Sequence, residues 1–193
     1  MTENIRRMIN KVKNFKQSLN EGSQQKLIAY HGSNVLFDEF SVEKVGSNSD
    51  VNSSGNLNND KYGFFFTSDY EEAKSSGNVV SKQKGGNPIV YTCELILTNP
   101  YTWVDLNNDV GDEQAQKIYD NTSGIGWGIF DSNRDFIIER CLKLKKDSVL
   151  FYHNGVKFIT VFKPSQIKII DSNAFNIKYS FRDEREPPTD SSR

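Results

Sequence analysis

The chain has 193 residues, with 24 Lys and Arg against 25 Asp and Glu and a mean hydropathy of −0.63. That balance gives no global field for holding nucleic acid, and no apolar run approaches the roughly 20 residues needed to span a bilayer. Two distant cysteines, Cys93 and Cys141, exclude a disulfide framework and are expected as buried, reduced thiols of an intracellular protein.

In chain order, Ile5, Met8, Ile9, Val12, Phe15 and Leu19 recur at helical spacing, so Thr2 to about Leu19 is expected to be helical with Thr2 as N-cap. The opposite face carries Arg6, Arg7, Lys11, Lys13 and Lys16. It reads as a solvated basic face, or alternatively as a docking surface for an acidic partner, a membrane surface or nucleic acid. A first strand is expected from about Lys26 to Tyr30, ending in His31-Gly32-Ser33. Ser41 to Lys61 is rich in Ser, Asn, Asp and Gly and reads as a long loop of the lid or insertion kind.

Gly63 to Thr67 is expected as a second strand, followed by a short helix capped at Ser68-Asp69, with Glu71 and Glu72 in its first turn. After the turn Gly85-Gly86-Asn87-Pro88, residues Ile89, Tyr91, Cys93, Leu95 and Leu97 alternate along a strand. Asn99-Pro100 breaks it. Asp112 to Tyr119 reads as a short helix and Gly124-Ile125-Gly126-Trp127-Gly128 as a flexible loop, whose glycines do not form a dinucleotide fingerprint. Ser132 is placed to cap a helix from Arg134 to about Lys145, with Phe136, Ile137, Cys141 and Leu144 inward. Val149–His153 and Val156–Phe162 flank Asn154-Gly155, a strong hairpin signal. Gln166 to Ile170 is expected as a last or edge strand, and Ser180 onward as a tail.

Strands joined by hairpins and loops without a βαβ rhythm predict an α+β fold with helices on largely antiparallel sheet. Three units are expected: an N-terminal basic helix over 1–22, a domain over 23–172, and a mostly disordered tail over 173–193.

Two features carry chemistry. His31, at a strand end beside Gly32, would offer an imidazole to a cleft, and the bare glycine backbone would admit a ligand. In Phe64-Phe65-Phe66, alternation puts Phe64 and Phe66 on one face and Phe65 on the other, where it would look toward the loop His31 also faces and could stack on a heterocycle. His153 is expected at the surface. Two histidines without clustered acids make no metal site.

His-Gly-Ser, then Gly-Phe-Phe-Phe-Thr-Ser with Ala73 after it, then Phe-x-Pro-x-Gln-Ile-Lys, resembles the ADP-ribosyltransferase fold of the diphtheria-toxin and poly(ADP-ribose)-polymerase class. It is most similar to the small domains of phage and mobile-element polyvalent proteins. The resemblance covers Leu27 to Ile170 and implies split antiparallel sheets with flanking helices, NAD as co-substrate and no metal. It implies that His31 bonds the NAD ribose, that Gly32 clamps the nicotinamide carboxamide beside Tyr30 and Ser33, and that Phe65 stands for the stacking tyrosine after Gly63. Ala73 matches the small residue of the following helix. The family's catalytic glutamate falls at Phe158, beside Lys157, and phenylalanine cannot polarise a ribose hydroxyl. Glu139, Asp147 and Asp131 are the acids otherwise available. The resemblance implies transfer of single ADP-ribose units to a macromolecular acceptor, expected to be a protein, in a host cytoplasm or a virion. The alternative is a binding or structural module that kept the fold and lost the chemistry.

Overall fold

The computed structural model describes residues 24–45, 63–120, 126–153 and 155–175. The expected N-terminal helix, most of the Ser41–Lys61 loop and residues 176–193 of the expected tail lie outside the described residues; Asn173 and Ala174, expected in the tail, instead close the last strand.

Seven strands form one sheet in the order β4-β5-β6-β2-β1-β3-β7. β1 (Gln25–Ser33) pairs along its whole length with β3 (Ile89–Leu97), and β3 pairs with the edge strand β7 (Ile167–Ala174). β2 (Phe64–Thr67) pairs with β6 (Val156–Val161), which forms a hairpin with β5 (Ser148–His153) through Gly155 at φ +85°. These two halves meet at a single pair, Tyr30 opposite Thr67. The fold is therefore α+β and mainly antiparallel, as the sequence pattern predicts, with the sheet split as the resemblance implies. One contact departs from that pattern: β4 (Pro100–Thr102) runs parallel to β5.

Two-residue alternation builds two cores, one on each face. Leu27, Ala29, Tyr91, Cys93 and Leu95 from one half pack with Phe64, Phe66, Leu150, Ile159 and Val161 from the other. On the opposite face, α1 (Tyr70–Lys84) lies on β1 and β3. There also Val149 and Phe151 pack with α2 (Trp103–Val110), α3 (Asp112–Asp120) and α4 (Gly126–Lys143). Asp69 caps α1 by accepting from the Glu72 N–H at 3.0 Å, and the expected short helix runs to 15 residues.

Three expectations are corrected. Gly126 to Gly128 belong to α4 and not to a loop, and the helix is interrupted at Asn133, where φ is −130°. In α4 Ile137 and Cys141 face inward while Phe136 is exposed; Leu144 is exposed too, because it follows the last helical turn and Lys145 turns the chain at φ 51°. His153 is buried, since β5 extends to it and alternation aligns it with Val149 and Phe151.

Candidate functional site

Beyond the Tyr30–Thr67 pair no described strand continues the ladder between β1 and β2. Past Tyr30, at His31 and Gly32, β1 is therefore not laddered to a described strand on the side that faces β2, and the sheet opens there. The imidazole of His31 enters this gap. Its Nδ1 lies 2.8 Å from the carbonyl oxygen of Phe65. A carbonyl can only accept, so Nδ1 carries the hydrogen and Nε2 of the neutral ring is an acceptor. Nε2 has no partner among the described residues. The ring centroids of Phe40, Phe66, Tyr91 and Phe37 lie 5.2, 5.6, 6.4 and 6.5 Å from that of His31. Burial among them pushes the imidazole below its ordinary value, which keeps it neutral, and the bond to the Phe65 carbonyl opposes this only in part.

The expectation that His31 and the Phe65 ring face one loop is corrected. His31 lies opposite Tyr91 across β1 and β3, on the face of Phe64 and Phe66. Phe65 points to the other face and packs against the second core. Register explains this: Tyr30 opposes Thr67, so Tyr30, Phe65 and Thr67 share a face and His31 takes the other. Side chain meets backbone at the gap, and ring does not meet ring.

Most of the remaining predicted residues have a packing role. A Cβ on Gly32 would lie 2.0 Å from the Ala73 carbonyl oxygen and 2.5 Å from the Gly77 nitrogen, so glycine is what lets α1 rest on β1. Ala73 is buried in that contact. Ser33 is buried, its Oγ accepting from Val35 N–H at 3.2 Å. Gly63, at φ +150°, would place a Cβ 2.6 Å from the Val161 carbonyl oxygen. Tyr30 meets Tyr70 edge to face at 5.4 Å. Phe158 is buried opposite Thr67 and Phe151, on the Tyr30 and Phe65 face.

None of the acids singled out from sequence compensates for Phe158 among the described residues. Asp147 accepts from the N–H groups of Thr98 (2.6 Å) and Asn99 (3.0 Å), which ties β3 to β5. Glu139 is exposed on α4, and the Asp131 side chain lies outside the described residues.

Sequence reasoning missed the walls of the imidazole and, at the far end of the half-sheets, the role of Gln166. Phe37 and Phe40 wall the imidazole, and their spacing just after the His-Gly-Ser run is the one available hint. Gln166 is a four-bond staple. Its Oε1 accepts from the N–H of Phe162 (3.1 Å) and Lys163 (3.0 Å), and its Nε2 donates to the carbonyls of Ile96 (3.3 Å) and Asp147 (3.1 Å).

Comparison with known proteins adds three findings. A family model described as ADP-ribosyltransferase in polyvalent proteins matches residues 20–177. No curated protein matches the chain. Among solved structures, that of an anti-CRISPR protein is similar at 18% identity and TM-score 0.39, covering 77% of this chain and 98% of its own. That of the MbcT–MbcA toxin–antitoxin complex of M. tuberculosis is similar at 12% identity and TM-score 0.44, covering 79% of this chain and 85% of its own.

Proposed function

The chain belongs to the ADP-ribosyltransferases of polyvalent proteins, and from that premise we propose that it is an NAD-dependent mono-ADP-ribosyltransferase. The bond broken is that between the nicotinamide nitrogen and the ribose anomeric carbon. Nicotinamide leaves with the bonding pair, and a nucleophile of the acceptor, expected to be a protein, bonds that carbon and gives up its proton.

One observation carries the reading. His31 is anchored through Nδ1–H, and its Nε2, an acceptor at the gap between the half-sheets, has no partner among the described residues. A neutral imidazole so held is suited to accept a hydrogen bond from a ribose hydroxyl. The unladdered edge of β1 is suited to clamp a carboxamide, which needs one donor and one acceptor. With Phe158 at the family's glutamate position, no carboxylate takes the glutamate's place among the described residues, and the acceptor would bring its own carboxylate or activated nucleophile. That disfavours chain elongation.

The test is release of nicotinamide from NAD by the wild-type protein and by His31→Ala, with mass spectrometry of candidate acceptors for one added ADP-ribose. Release that collapses in His31→Ala supports the reading, and equal release would remove His31 from the reaction. The second reading, a module that kept the fold without the chemistry, is favoured by Phe158 and by the basic residues of the N-terminal segment. Wild-type protein that binds partners irrespective of NAD and releases no nicotinamide would establish it.

A further inference from the structure

Tyr91 sits directly opposite His31 across β1 and β3, on the same face, and is fully buried. Its hydroxyl accepts from the Phe37 N–H at 2.6 Å and donates to the Val35 carbonyl at 3.0 Å. Its ring is stacked on that of Phe37, with centroids 4.2 Å apart and planes 19° from parallel. Phe37 in turn meets Phe40 edge to face at 4.9 Å, and Phe40 stands 5.2 Å from the imidazole. One phenol thus bonds the backbone at Val35 and at Phe37, and the rings of Phe37 and Phe40 wall His31. Leu36, between the two bonded residues, is 67% exposed.

We propose that Tyr91 is a positioning residue, latching residues 34–40 as an aromatic strap against His31 so that water is kept from the ring and Nε2 stays an acceptor. For its consequence in NAD binding this rests on the functional reading above; the strap itself does not. Tyr91→Phe would leave the Phe37 N–H and the Val35 carbonyl without the phenol, and a strap freed of both bonds would admit water to the imidazole. The groups that face His31 leave solvation as the governing effect. Tyr91 and Cys93 on β3 are neutral at pH 7, each raised by burial. β2 presents the Phe65 carbonyl. The strap's carboxylates, Asp38 and Glu39, are exposed; Asp38 acts on Tyr91, and neither bears on His31.

The experiment is an NMR titration of the histidine rings in the full chain, wild type against Tyr91→Phe. His31 is read and His153, the only other histidine, serves as internal reference. The expected result is that the His31 midpoint rises toward the ordinary value of about 6.5, that His153 is unmoved, and that the Phe37 amide exchanges faster. A His31 midpoint unchanged in Tyr91→Phe would overturn the proposal, whether the Phe37 amide is released or still protected. Should Tyr91→Phe not fold, Phe37→Leu, which removes the stacked ring and keeps the N–H, is read the same way: a smaller upward shift supports the strap and no shift refutes it. The titration needs no NAD. A protein that releases no nicotinamide would therefore refute the functional reading and leave this result standing.

Discussion

Replacing Gln166 tests how the two half-sheets are held together at the end away from His31. The side chain is buried and all four of its hydrogen-bonding positions are used, joining the exit of β6 to β3 and to the start of β5. Each bond contributes about 1 kcal/mol net, and an orphaned buried partner costs about 1–3 kcal/mol. Lys163 is exposed, so water can rescue its N–H, whereas the carbonyls of Ile96 and Asp147 are half-buried. Gln166→Ala is therefore expected to cost roughly 2–4 kcal/mol, read as a lower urea midpoint at unchanged slope.

Gln166→Glu is the sharper variant because it is isosteric. Its carboxylate can still accept from Phe162 and Lys163 but would set its second oxygen against two carbonyls. Protonation restores one donor, so the folded state raises the carboxyl above its ordinary value and binds a proton that the unfolded chain has released. The stability deficit of Gln166→Glu should thus be largest at neutral pH and shrink on acidification through that raised value. A Gln166→Glu protein as stable as wild type at pH 7, or a deficit that grows on acidification, would refute the staple.

Other expectations follow from the same contacts. Gly32→Ala drives a Cβ into the backbone of α1 and should cost about 3 kcal/mol in urea unfolding. Gly77→Ala meets its nearest atoms at 3.2–3.4 Å and should be near neutral, its helix-propensity gain of about 1 kcal/mol offsetting the tight fit. His31 and His153 are both lowered by burial, so below about 6.5 the unfolded chain takes up protons the fold refuses. Stability should fall as pH drops through that window toward the folded values, and His31→Asn and His153→Phe should each remove part of the slope. A wild-type stability flat from pH 7 to 5 would contradict this. Cys93 and Cys141 are buried free thiols pushed up to about 12, so a thiol-specific reagent should label neither until denaturant is added.

Which parts were legible in the sequence follows from which interactions are local. Alternation located Ile89–Leu97 to the residue, because every second side chain enters one core. Asn154-Gly155 located the β5–β6 hairpin for a similarly local reason, since a two-residue turn leaves little choice of register. β4 was not legible: it has three residues, and its partner Ser148–Leu150 comes almost fifty positions later. α2 did leave a signal that went unread, as the Thr102 N–H and hydroxyl both donate to Asp105 Oδ2 at 2.8 Å, a capping box written T-W-V-D.

At the site, alternation within each strand was right for Phe64, Phe65 and Phe66. The relation of Phe65 to His31 was not, because it depends on the Tyr30–Thr67 register, and one residue of slip exchanges the faces of a strand. The glycines of the motifs were visible, but their use against Ala73, Gly77 and Val161 is tertiary.

The most direct measurement is a crystal structure of the protein soaked with NAD or with a nicotinamide mimic. The prediction is a planar ring seated in the opening where β1 parts from β2, within hydrogen-bonding reach of the His31–Ser33 backbone and, for NAD, a ribose hydroxyl on Nε2 of His31. An opening that stays filled by protein side chains at saturating ligand, or a ligand bound elsewhere with His31 untouched, would contradict it.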